Sequence, residues 1–455
     1  MTWFSIFRMG LVQACLGAIV VLTTSTLNRV MVVELALPAL VPGMLVALHY
    51  AVQMLRPRMG FGSDLGKRRT PWIAGGMAVL ALGGVGAAAG TAWMSTAPSA
   101  GLAVTALSFF LVGLGVSACG TSLLVLLATQ VQEQRRAAAA TVVWVMMIVG
   151  FAVTAGLAGR WLDPYSPERL VMVSSTVSCL AFLLAMAALA GLERDGVRAA
   201  PAEAKPSFMQ ALAEVWAEPD ARRFTIFVFV SMFAYSAQDL ILEPFAGIRF
   251  GFTPGESTQL SGVQHGGTLA GMLLASLAGR RLLGMSFGTL RGWILGGCLA
   301  SAVAIGGLVV GAAVGTAWPL RANVFALGVA NGAFSIAAIG SMMALANQGR
   351  AAREGTRMGL WGASQAIGFA VGGVMGTAAS DVARWFLGSQ VAAYSSVFAG
   401  EAVLFVVAAV LAARIAVPAL TRTAAGAPVA LEQVHERAGP LPSAHSGAHS
   451  AEVVQ

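Results

Sequence analysis

Charged side chains are scarce in this sequence. Of its 455 residues, 11% are Asp, Glu, Lys or Arg, whereas 57% are hydrophobic. Soluble globular proteins contain about one quarter charged residues, so this composition excludes a soluble domain. The sequence therefore indicates an integral membrane protein.

Lysine and cysteine are also rare. The two lysines, Lys67 and Lys205, lie outside any GxxxxGK[ST] pattern, so the sequence predicts no ATP-driven motor and no nucleotide cofactor. The four cysteines lie in apolar stretches without CxxC spacing, which excludes a disulfide scaffold and a cysteine-based metal site. We expect the cysteines to be small buried residues. We also expect that no cysteine binds a metal ion at the functional site.

Long uncharged runs make up most of the chain. About 20 helical residues cross the ~30 Å hydrocarbon core of a bilayer, and twelve runs of this kind are present. The alternation that marks the strands of a β-barrel is not seen. The prediction is an all-α membrane protein with twelve transmembrane helices, at residues 9–33, 38–58, 71–93, 100–130, 137–159, 169–192, 223–247, 257–280, 288–314, 319–347, 356–380 and 391–415.

Arg and Lys are concentrated in every second connection between the predicted spans. Because cationic loops remain in the cytoplasm, this distribution predicts that both termini are cytoplasmic. The same asymmetry, together with attraction to anionic headgroups, accounts for the formal net charge of +8. The expected partner of this charge is membrane lipid, and we expect no nucleic-acid partner.

A charged segment divides the spans into two groups of six. Residues 193–223 hold eleven charged side chains, a sharp change from the apolar sequence on either side. We predict a six-helix bundle over residues 1–192, a cytoplasmic linker over 193–222, a second six-helix bundle over 223–416 and a disordered cytoplasmic tail over 417–455. This plan is typical of transporters built from two pseudo-symmetric halves around a cavity at the bilayer midplane.

The connection between the second and third spans contains a recognisable motif. It reads GFGSDLGKRRTPW and includes Asp64, Arg68 and Arg69. It resembles the G-x-x-x-D-[RK]-x-G-[RK]-[RK] signature of the major facilitator superfamily, with the glycine one residue early and Leu65 in place of the cation. The resemblance implies the major facilitator fold and a cytoplasmic latch formed by these three residues. The alternative is an ordinary cationic cytoplasmic loop.

A more specific resemblance extends along the chain. Residues 22–78, which begin LTTSTLNRVMVVELALPALVPGM, resemble the PucC/LhaA family of photosynthetic bacteria. The segments VVWVMMIVGF (142–151) and REGTRMGLWGASQAIGFAVGG (353–373) also resemble that family, which is a branch of the major facilitator superfamily. The resemblance implies a role in the assembly of light-harvesting complexes in the inner, photosynthetic membrane.

The same resemblance implies a cofactor and partners. A protein of this family would bind (bacterio)chlorophyll and pass it to light-harvesting antenna polypeptides, near chlorophyll synthase and the membrane insertion machinery. It would be an assembly factor, and no nucleophile–base set or metal-ligand cluster in the sequence points to an enzyme. The residues leave a second function open, a proton-coupled secondary transporter of a small solute or drug. The fifth span lacks the Gly-Pro pair of an antiporter motif, which argues against this second function.

Ionisable and amide side chains within apolar spans are costly and therefore mark candidate functional positions. The first span contains Asn28, Arg29 and Glu34, and the seventh contains Asp239 and Glu243. Arg29 and Glu34 are five residues apart, too far round an α-helix for an ideal pair. We therefore expect Arg29 to face Asp239 or Glu243 across a central cavity. The alternative is that these side chains lie at the membrane interface and reach water.

Two histidines occupy similar places in the two halves. The second and eighth spans each begin near a Pro-Gly pair and contain one histidine, His49 or His265. A neutral imidazole is a good axial ligand for a chlorophyll magnesium, because one ring nitrogen keeps a lone pair while a hydrogen bond holds the other. With the family resemblance, this makes both residues candidate pigment ligands. The alternative is a histidine that hydrogen-bonds across a helix interface.

Glycines at four-residue spacing mark close helix contacts. Gly262 and Gly266 flank the histidine of the eighth span, and Gly368, Gly372 and Gly376 form two overlapping GxxxG steps on the eleventh. This spacing favours tight packing inside the bundle. The alternative is a lipid-facing groove in which a pigment or an antenna helix docks.

The predicted orientation can be tested with topology reporters. Fusions after Ser207 in the linker and after Gln455 should both report the cytoplasm, because both positions lie in segments that belong to the Arg- and Lys-rich set of connections and ends. A fusion after Ala97, in the hairpin between the third and fourth spans, should report the opposite side. The topology is wrong if Ser207 and Ala97 report the same compartment.

Overall fold

A computed structural model of the chain describes residues 1–55, 68–193, 213, 216–276, 281–282, 285–286, 288–346 and 354–415. Within these residues the chain forms twelve long helices, two short 3₁₀ turns (Gln53–Leu55 and Gly315–Ala317) and one two-stranded antiparallel hairpin. The helices are α1 (Trp3–Glu34), α2 (Leu40–Val52), α3 (Thr70–Trp93), α4 (Pro98–Gln130), α5 (Glu133–Leu162), α6 (Pro167–Leu189), α7 (Pro219–Phe250), α8 (Pro254–Ala275), α9 (Leu290–Val314), α10 (Leu320–Ala346), α11 (Glu354–Leu387) and α12 (Gln390–Ala413). The hairpin pairs β1 (Arg281–Leu282) with β2 (Met285–Ser286).

Each predicted span corresponds to one helix, and the prediction of an all-α membrane protein is confirmed. Ten of the described helices are long and apolar enough to cross a membrane. The other two are α2, which has 13 residues, and α8, whose buried face carries several hydroxyl and amide side chains. The hairpin is an addition that the sequence did not suggest. The predicted tail lies outside the described residues, and so does most of the predicted linker, whose residues 219–222 already belong to α7. The boundaries of both segments stay predictions.

Proline and short polar residues define many of the helix starts. α3, α4, α6, α7 and α8 have proline within their first two positions, where the missing N–H costs nothing. α8 has a full capping box, in which Thr253 and Glu256 each bond the backbone N–H of the other. These signals place the helix ends on which the contacts between the two halves depend.

The helices pack both within and between the two halves. Within them α3 packs on α4 and α6, α1 on α5, α7 on α11, and α9 on α10 and α12. Between them the main contacts are α5 with α8 and α2 with α11. Glycine brings these pairs close together: a Cβ atom at Gly262 would lie 2.9 Å from the amide nitrogen of Gly156, and one at Gly43 would clash with Thr377.

The start of α3 is held by a carboxylate from the end of α6. Glu193 accepts hydrogen bonds from the backbone N–H groups of Arg69 (2.8 Å) and Thr70 (2.8 Å) and from the Thr70 hydroxyl (2.7 Å). Of the predicted cytoplasmic latch, Arg68 is exposed and Arg69 is buried, and Asp64 lies outside the described residues. The latch therefore stays a prediction, and Glu193 is a contact that the sequence reasoning missed.

The environment of Glu193 lowers its pKa. Partial burial of the carboxyl group raises this pKa. A larger combined effect lowers it, and it comes from the hydrogen bonds of the Arg69 and Thr70 N–H groups and the Thr70 hydroxyl and from the positive charge of Arg69. These donors include otherwise free N–H groups of the first turn of α3, so the ionised carboxylate satisfies them.

Glu193→Gln should destabilise the protein in a pH-dependent way. At neutral pH we expect a loss of about 1 kcal/mol, the typical value of a helix cap. A lowered folded-state pKa stabilises the fold above the ordinary glutamate pKa of 4.5, and this contribution disappears as the pH falls through the lowered value. The apparent Tm of purified wild-type and variant protein should therefore differ at pH 7 and converge in acid. A difference that stays constant with pH would contradict this assignment.

Candidate functional site

The two halves are hydrogen-bonded to each other at the helix ends remote from Trp3 and Ala413, which we call the distal end. Asp163, directly after α5, accepts hydrogen bonds from the Thr253 hydroxyl (2.7 Å) and the Gly255 N–H (3.2 Å) at the start of α8. In the other half, Asp381 of α11 accepts from the N–H groups of Ala39 (3.1 Å) and Leu40 (2.8 Å) at the start of α2. We call these two contacts the distal clamps.

The distal clamps follow the pseudo-symmetry of the two halves. In each, an aspartate from the carboxyl-terminal part of the fifth helix of one half binds the amino-terminal end of the second helix of the other. The free N–H groups and positive dipole end of that helix favour a carboxylate. The sequence reasoning missed both aspartates. The sequence did contain an indication of these contacts. A carboxylate near the negative, carboxyl-terminal end of its own helix is unfavourable, so it is expected to have a partner on another element.

Below the clamps, side chains of α1 bind α7 and α8. Thr26 and Thr258 share a hydrogen bond of 2.9 Å, and Asn28 donates to the Leu240 carbonyl oxygen at 2.6 Å. The hydroxyl oxygens of Ser25 and Ser261 are 3.5 Å apart. All these side chains are buried. Asn28, expected to line a cavity, therefore also joins the two halves.

The backbone of α1 changes its winding around Arg29. Leu22–Thr26 and Val30–Glu34 form π-helical segments on either side of a short α-helical turn. Hydrogen bonds from i to i+5 in such segments bring residues five apart onto one face. Arg29 consequently forms an ion pair with Glu34, and it donates to the Phe252 carbonyl oxygen at 2.6 Å. The ion-pair partner of Arg29 is therefore Glu34 and not Asp239 or Glu243, because the expectation assumed regular α-helical spacing. The charge of Arg29 still acts on the Glu243 carboxylate, as expected of side chains that face each other.

The two acidic residues of α7 have different surroundings. Glu243 is 2% exposed, and the Ser25 and Ser261 hydroxyls lie close to its carboxylate without forming a well-shaped hydrogen bond to either oxygen. Asp239, one turn earlier, is only partly buried. The alternative that all these groups reach water at the interface fails for Arg29 and Glu243, which are both buried.

Several buried polar atoms near this cluster lack a partner among the described residues. They include the Asn28 side-chain oxygen, both amide atoms of Gln238, the Gln264 amide nitrogen and both carboxylate oxygens of Glu243. Buried polar groups in native proteins are nearly always hydrogen-bonded, to protein, water or a bound ligand. We call the set of these four side chains on α1, α7 and α8 (Asn28, Gln238, Glu243 and Gln264) the central polar site.

The two candidate histidines have different hydrogen bonds. His265 is 6% exposed, and its Nδ1 lies 2.8 Å from the Ser261 carbonyl oxygen, so Nδ1–H is the donor and Nε2 keeps its lone pair. Its ring meets Phe151 edge to face at 4.9 Å between centroids. In His49 the Nε2 atom lies 2.9 Å from the Gln53 amide nitrogen, which donates a hydrogen bond to the lone pair of this Nε2 atom. Among the described residues, no side chain or backbone group forms a hydrogen bond with the Nε2 atom of His265.

Aromatic rings connect the halves beside this region. Tyr50 of α2 lies 5.4 Å from Phe369 of α11, and Phe369 lies 5.6 Å from Tyr235 of α7, measured between ring centroids. His49 meets Tyr50 edge to face at 4.9 Å. These rings give the inner surface an apolar, aromatic wall next to the polar groups of α1, α7 and α8.

The predicted glycines fall into two groups. Gly368, Gly372 and Gly376 face α7, where Cβ atoms would crowd Phe229, Phe233 or Ala237, and Gly262 packs on Gly156 of α5. Gly266, next to His265, has no atom within 4 Å of an added Cβ. Packing accounts for the first four, whereas Gly266 borders open space.

Solved structures of other proteins share this fold. The D-xylose-proton symporter matches with a TM-score of 0.68 at 16% identity, over 92% of this chain and 99% of that one. An inward-facing bacterial homologue of the human lysosomal transporter Spinster matches with a TM-score of 0.66 at 17% identity, over 90% and 95%. The arrangement of the helices is that of the major facilitator superfamily of membrane proteins.

Sequence comparison identifies the family. The profile of the family described as PUCC protein matches residues 26–420. A relative from Rhodobacter capsulatus named bacteriochlorophyll synthase 44.5 kDa chain is 52% identical over 411 residues, covering 90% of this chain and 95% of its own. A protein named PucC from Rhodobacter capsulatus is 31% identical over 444 residues, 92% of each chain. The chain belongs to the PUCC protein family.

Removal of both distal clamps should open the distal end. We expect Asp163→Ala with Asp381→Ala to raise maleimide labelling of a Ser261→Cys reporter by about thirtyfold, because two caps of about 1 kcal/mol each contribute about 2 kcal/mol and 1.4 kcal/mol is tenfold. The reporter is placed in a background without the four native cysteines. A membrane-impermeant maleimide is added to right-side-out and to inverted vesicles.

The increase should occur from one side of the membrane only. Asp220→Ala is the control, since its exposed ion pair with Arg223, 3.7 Å long, contributes little. Equal labelling in the double variant and this control would show that the clamps do not hold the distal end closed.

Proposed function

We propose that the protein is an assembly factor for light-harvesting complexes, which binds (bacterio)chlorophyll and delivers it to antenna polypeptides. Membership of the PUCC protein family supports a role in photosynthesis. The names of the relatives point to bacteriochlorophyll and to PucC. One relative is named a synthase, yet we propose a non-enzymatic role, since the fold is shared with transporters.

The observation that carries the proposal is the hydrogen bonding of His265. Its Nδ1–H is bound to the Ser261 carbonyl oxygen, and the opposite nitrogen keeps a lone pair. A second partner of this kind fixes the tautomer and ring orientation of a ligating histidine. A bound pigment would supply a magnesium ion as acceptor of that lone pair. We propose His265 as the axial ligand, and His49 as the weaker candidate because Gln53 engages its Nε2.

The surroundings of His265 suit an apolar ring system. Phe151 supports one edge of the imidazole, and Gly266 leaves open space beside it. Water is unfavourable in such a setting, so a nitrogen without a partner costs free energy that ligand binding recovers. Gln264 of the central polar site directly precedes His265 in the chain, and we propose that this site holds polar substituents of the same ligand.

The partners and location follow from the same proposal. We propose the inner, photosynthetic membrane with both termini in the cytoplasm, in contact with membrane lipid and antenna polypeptides. Chlorophyll synthase and the membrane insertion machinery are further proposed partners, because pigment supply and antenna insertion must coincide. Delivery would require the two halves to separate at some stage, which the distal clamps resist.

A second candidate function is proton-coupled transport of a small solute. Glu243 favours it, because a buried carboxylate without a well-formed hydrogen bond is suited to gain and lose a proton. Asp239 lies one helical turn away on the same helix. This function requires uptake into liposomes that depends on a proton gradient and on Glu243.

His265→Phe should abolish pigment binding, whereas His49→Phe should largely retain it. Loss of an axial ligand is expected to reduce affinity at least as much as loss of an outer partner, about 10–100-fold. Bacteriochlorophyll absorbance per purified protein is the readout, with monodispersity as the check on folding.

Two outcomes would contradict this assignment. Full pigment in both single variants and in the double variant would exclude both histidines as ligands. Colourless wild-type protein that takes up solute in response to a proton gradient would replace pigment delivery by transport, and Glu243→Gln should then abolish uptake.

A further inference from the structure

A cavity distinct from the central polar site lies between α7, α11 and α12. Its volume is about 450 Å³, within the range of small-molecule sites. Met375 and Val382 of α11, which are 51% and 56% exposed, lie at its rim. Exposed apolar side chains of a membrane-spanning helix face lipid, so this groove opens towards the bilayer. We call it the lateral groove.

Glu401 is the feature that sets the lateral groove apart. It lines the groove, is 2% exposed, and neither carboxylate oxygen has a hydrogen-bond partner among the described residues. It is in the middle of the 24-residue helix α12, near the bilayer centre. An acidic group at this depth is costly unless it is partnered, and its presence marks a functional position. The sequence reasoning missed it, although no other acidic residue occurs in that helix.

Apolar and small residues line the groove, together with Ser396, whose hydroxyl donates to the Ala393 carbonyl oxygen. Phe233 and Leu404 form part of the wall, and Ala237, Gly376 and Gly400 are among the small residues. The two glycines differ: Gly376 packs against Ala237, whereas a Cβ atom at Gly400 would meet nothing within 4 Å. Gly400 therefore faces the free volume of the groove next to Glu401.

We propose that the lateral groove binds a membrane-dissolved alcohol, with its apolar body against the groove walls and its hydroxyl hydrogen-bonded to Glu401. A hydroxyl both donates and accepts, so it satisfies the carboxyl group whether that group is ionised or neutral. A cationic ligand would have to bring a second charge to the bilayer centre, which is costly. A purely apolar ligand would leave both oxygens of Glu401 without a partner.

This site is independent of the proposed pigment site. None of the groove residues belongs to the central polar site, and His265 lies on α8, which does not line the groove. Failure of the His265 experiment would therefore leave the lateral groove untouched, and the reverse also holds.

The test compares two photoreactive probes on the full-length protein in lipid nanodiscs. One is a diazirine-bearing octadecanol, and the other is the matching octadecane without the hydroxyl. We expect the alcohol to label peptides of α7, α11 and α12 about fivefold more than the hydrocarbon, the ratio that one hydrogen bond provides. Excess unlabelled octadecanol should compete. Equal labelling by the two probes in the wild-type protein would overturn the proposal.

Three variants locate the effect. Glu401→Gln should keep the preference for the alcohol, because an amide also donates and accepts, whereas Glu401→Leu should reduce labelling by the alcohol to that by the hydrocarbon. Gly400→Leu should lower labelling by both probes, since its added Cβ meets nothing within 4 Å and the side chain occupies the groove. Gly306→Leu on α9 is the matched control, because its added Cβ also meets nothing within 4 Å. A preference that persists in Glu401→Leu, or equal effects of the two glycine variants, would overturn the proposal.

Discussion

The requirement that polar groups find partners within the protein governs this structure, because a bilayer offers no water to satisfy them. Helices meet the requirement for most of the backbone but leave free N–H groups at their first turns. In this protein carboxylates from other helices satisfy some of them. Glu193 serves α3, Asp163 serves α8 and Asp381 serves α2. Glu193 thereby stabilises one half, and Asp163 and Asp381 join the two halves.

The segments across the membrane could be predicted from the sequence because hydrophobicity over about 20 residues is a local property. The helix starts at Pro98, Pro167, Pro219 and Pro254 also follow from local rules. Even α8, which is too polar to be recognised as a span by composition, was found from its length between charged segments. Its polar face turns inward, where Thr258 and Ser261 meet α1.

The contacts of the site could not be predicted in the same way, because they depend on winding and on distant helices. Arg29 and Glu34 pair only because α1 contains π-helical segments, for which the apolar pattern gives no sign. Asp163 and Asp381 find their partners 90 or more residues away. Glu401 was different: one acid in an apolar helix is visible in the sequence, and attention to the cost of burying it would have identified it.

The two halves are not equivalent at their histidines, and this difference bears on where a ligand can bind. Both histidines lie on the second helix of their half and both helices are held at their starts by a distal clamp. Yet the side-chain amide of Gln53, one turn after His49, donates a hydrogen bond to the Nε2 atom of His49. His265 instead donates from Nδ1 to the carbonyl oxygen of Ser261, one turn before it, and its Nε2 atom stays available. The Nε2 atom is thus engaged by a neighbouring side chain in one half and has no such partner in the other, so a ligand site built on these histidines is asymmetric.

 Leu269 stands four residues after His265, as Gln53 stands four residues after His49, and an aliphatic side chain cannot engage an imidazole nitrogen. This difference between the halves, together with the bond from Nδ1 of His265 to the Ser261 carbonyl oxygen, leaves the Nε2 of His265 available.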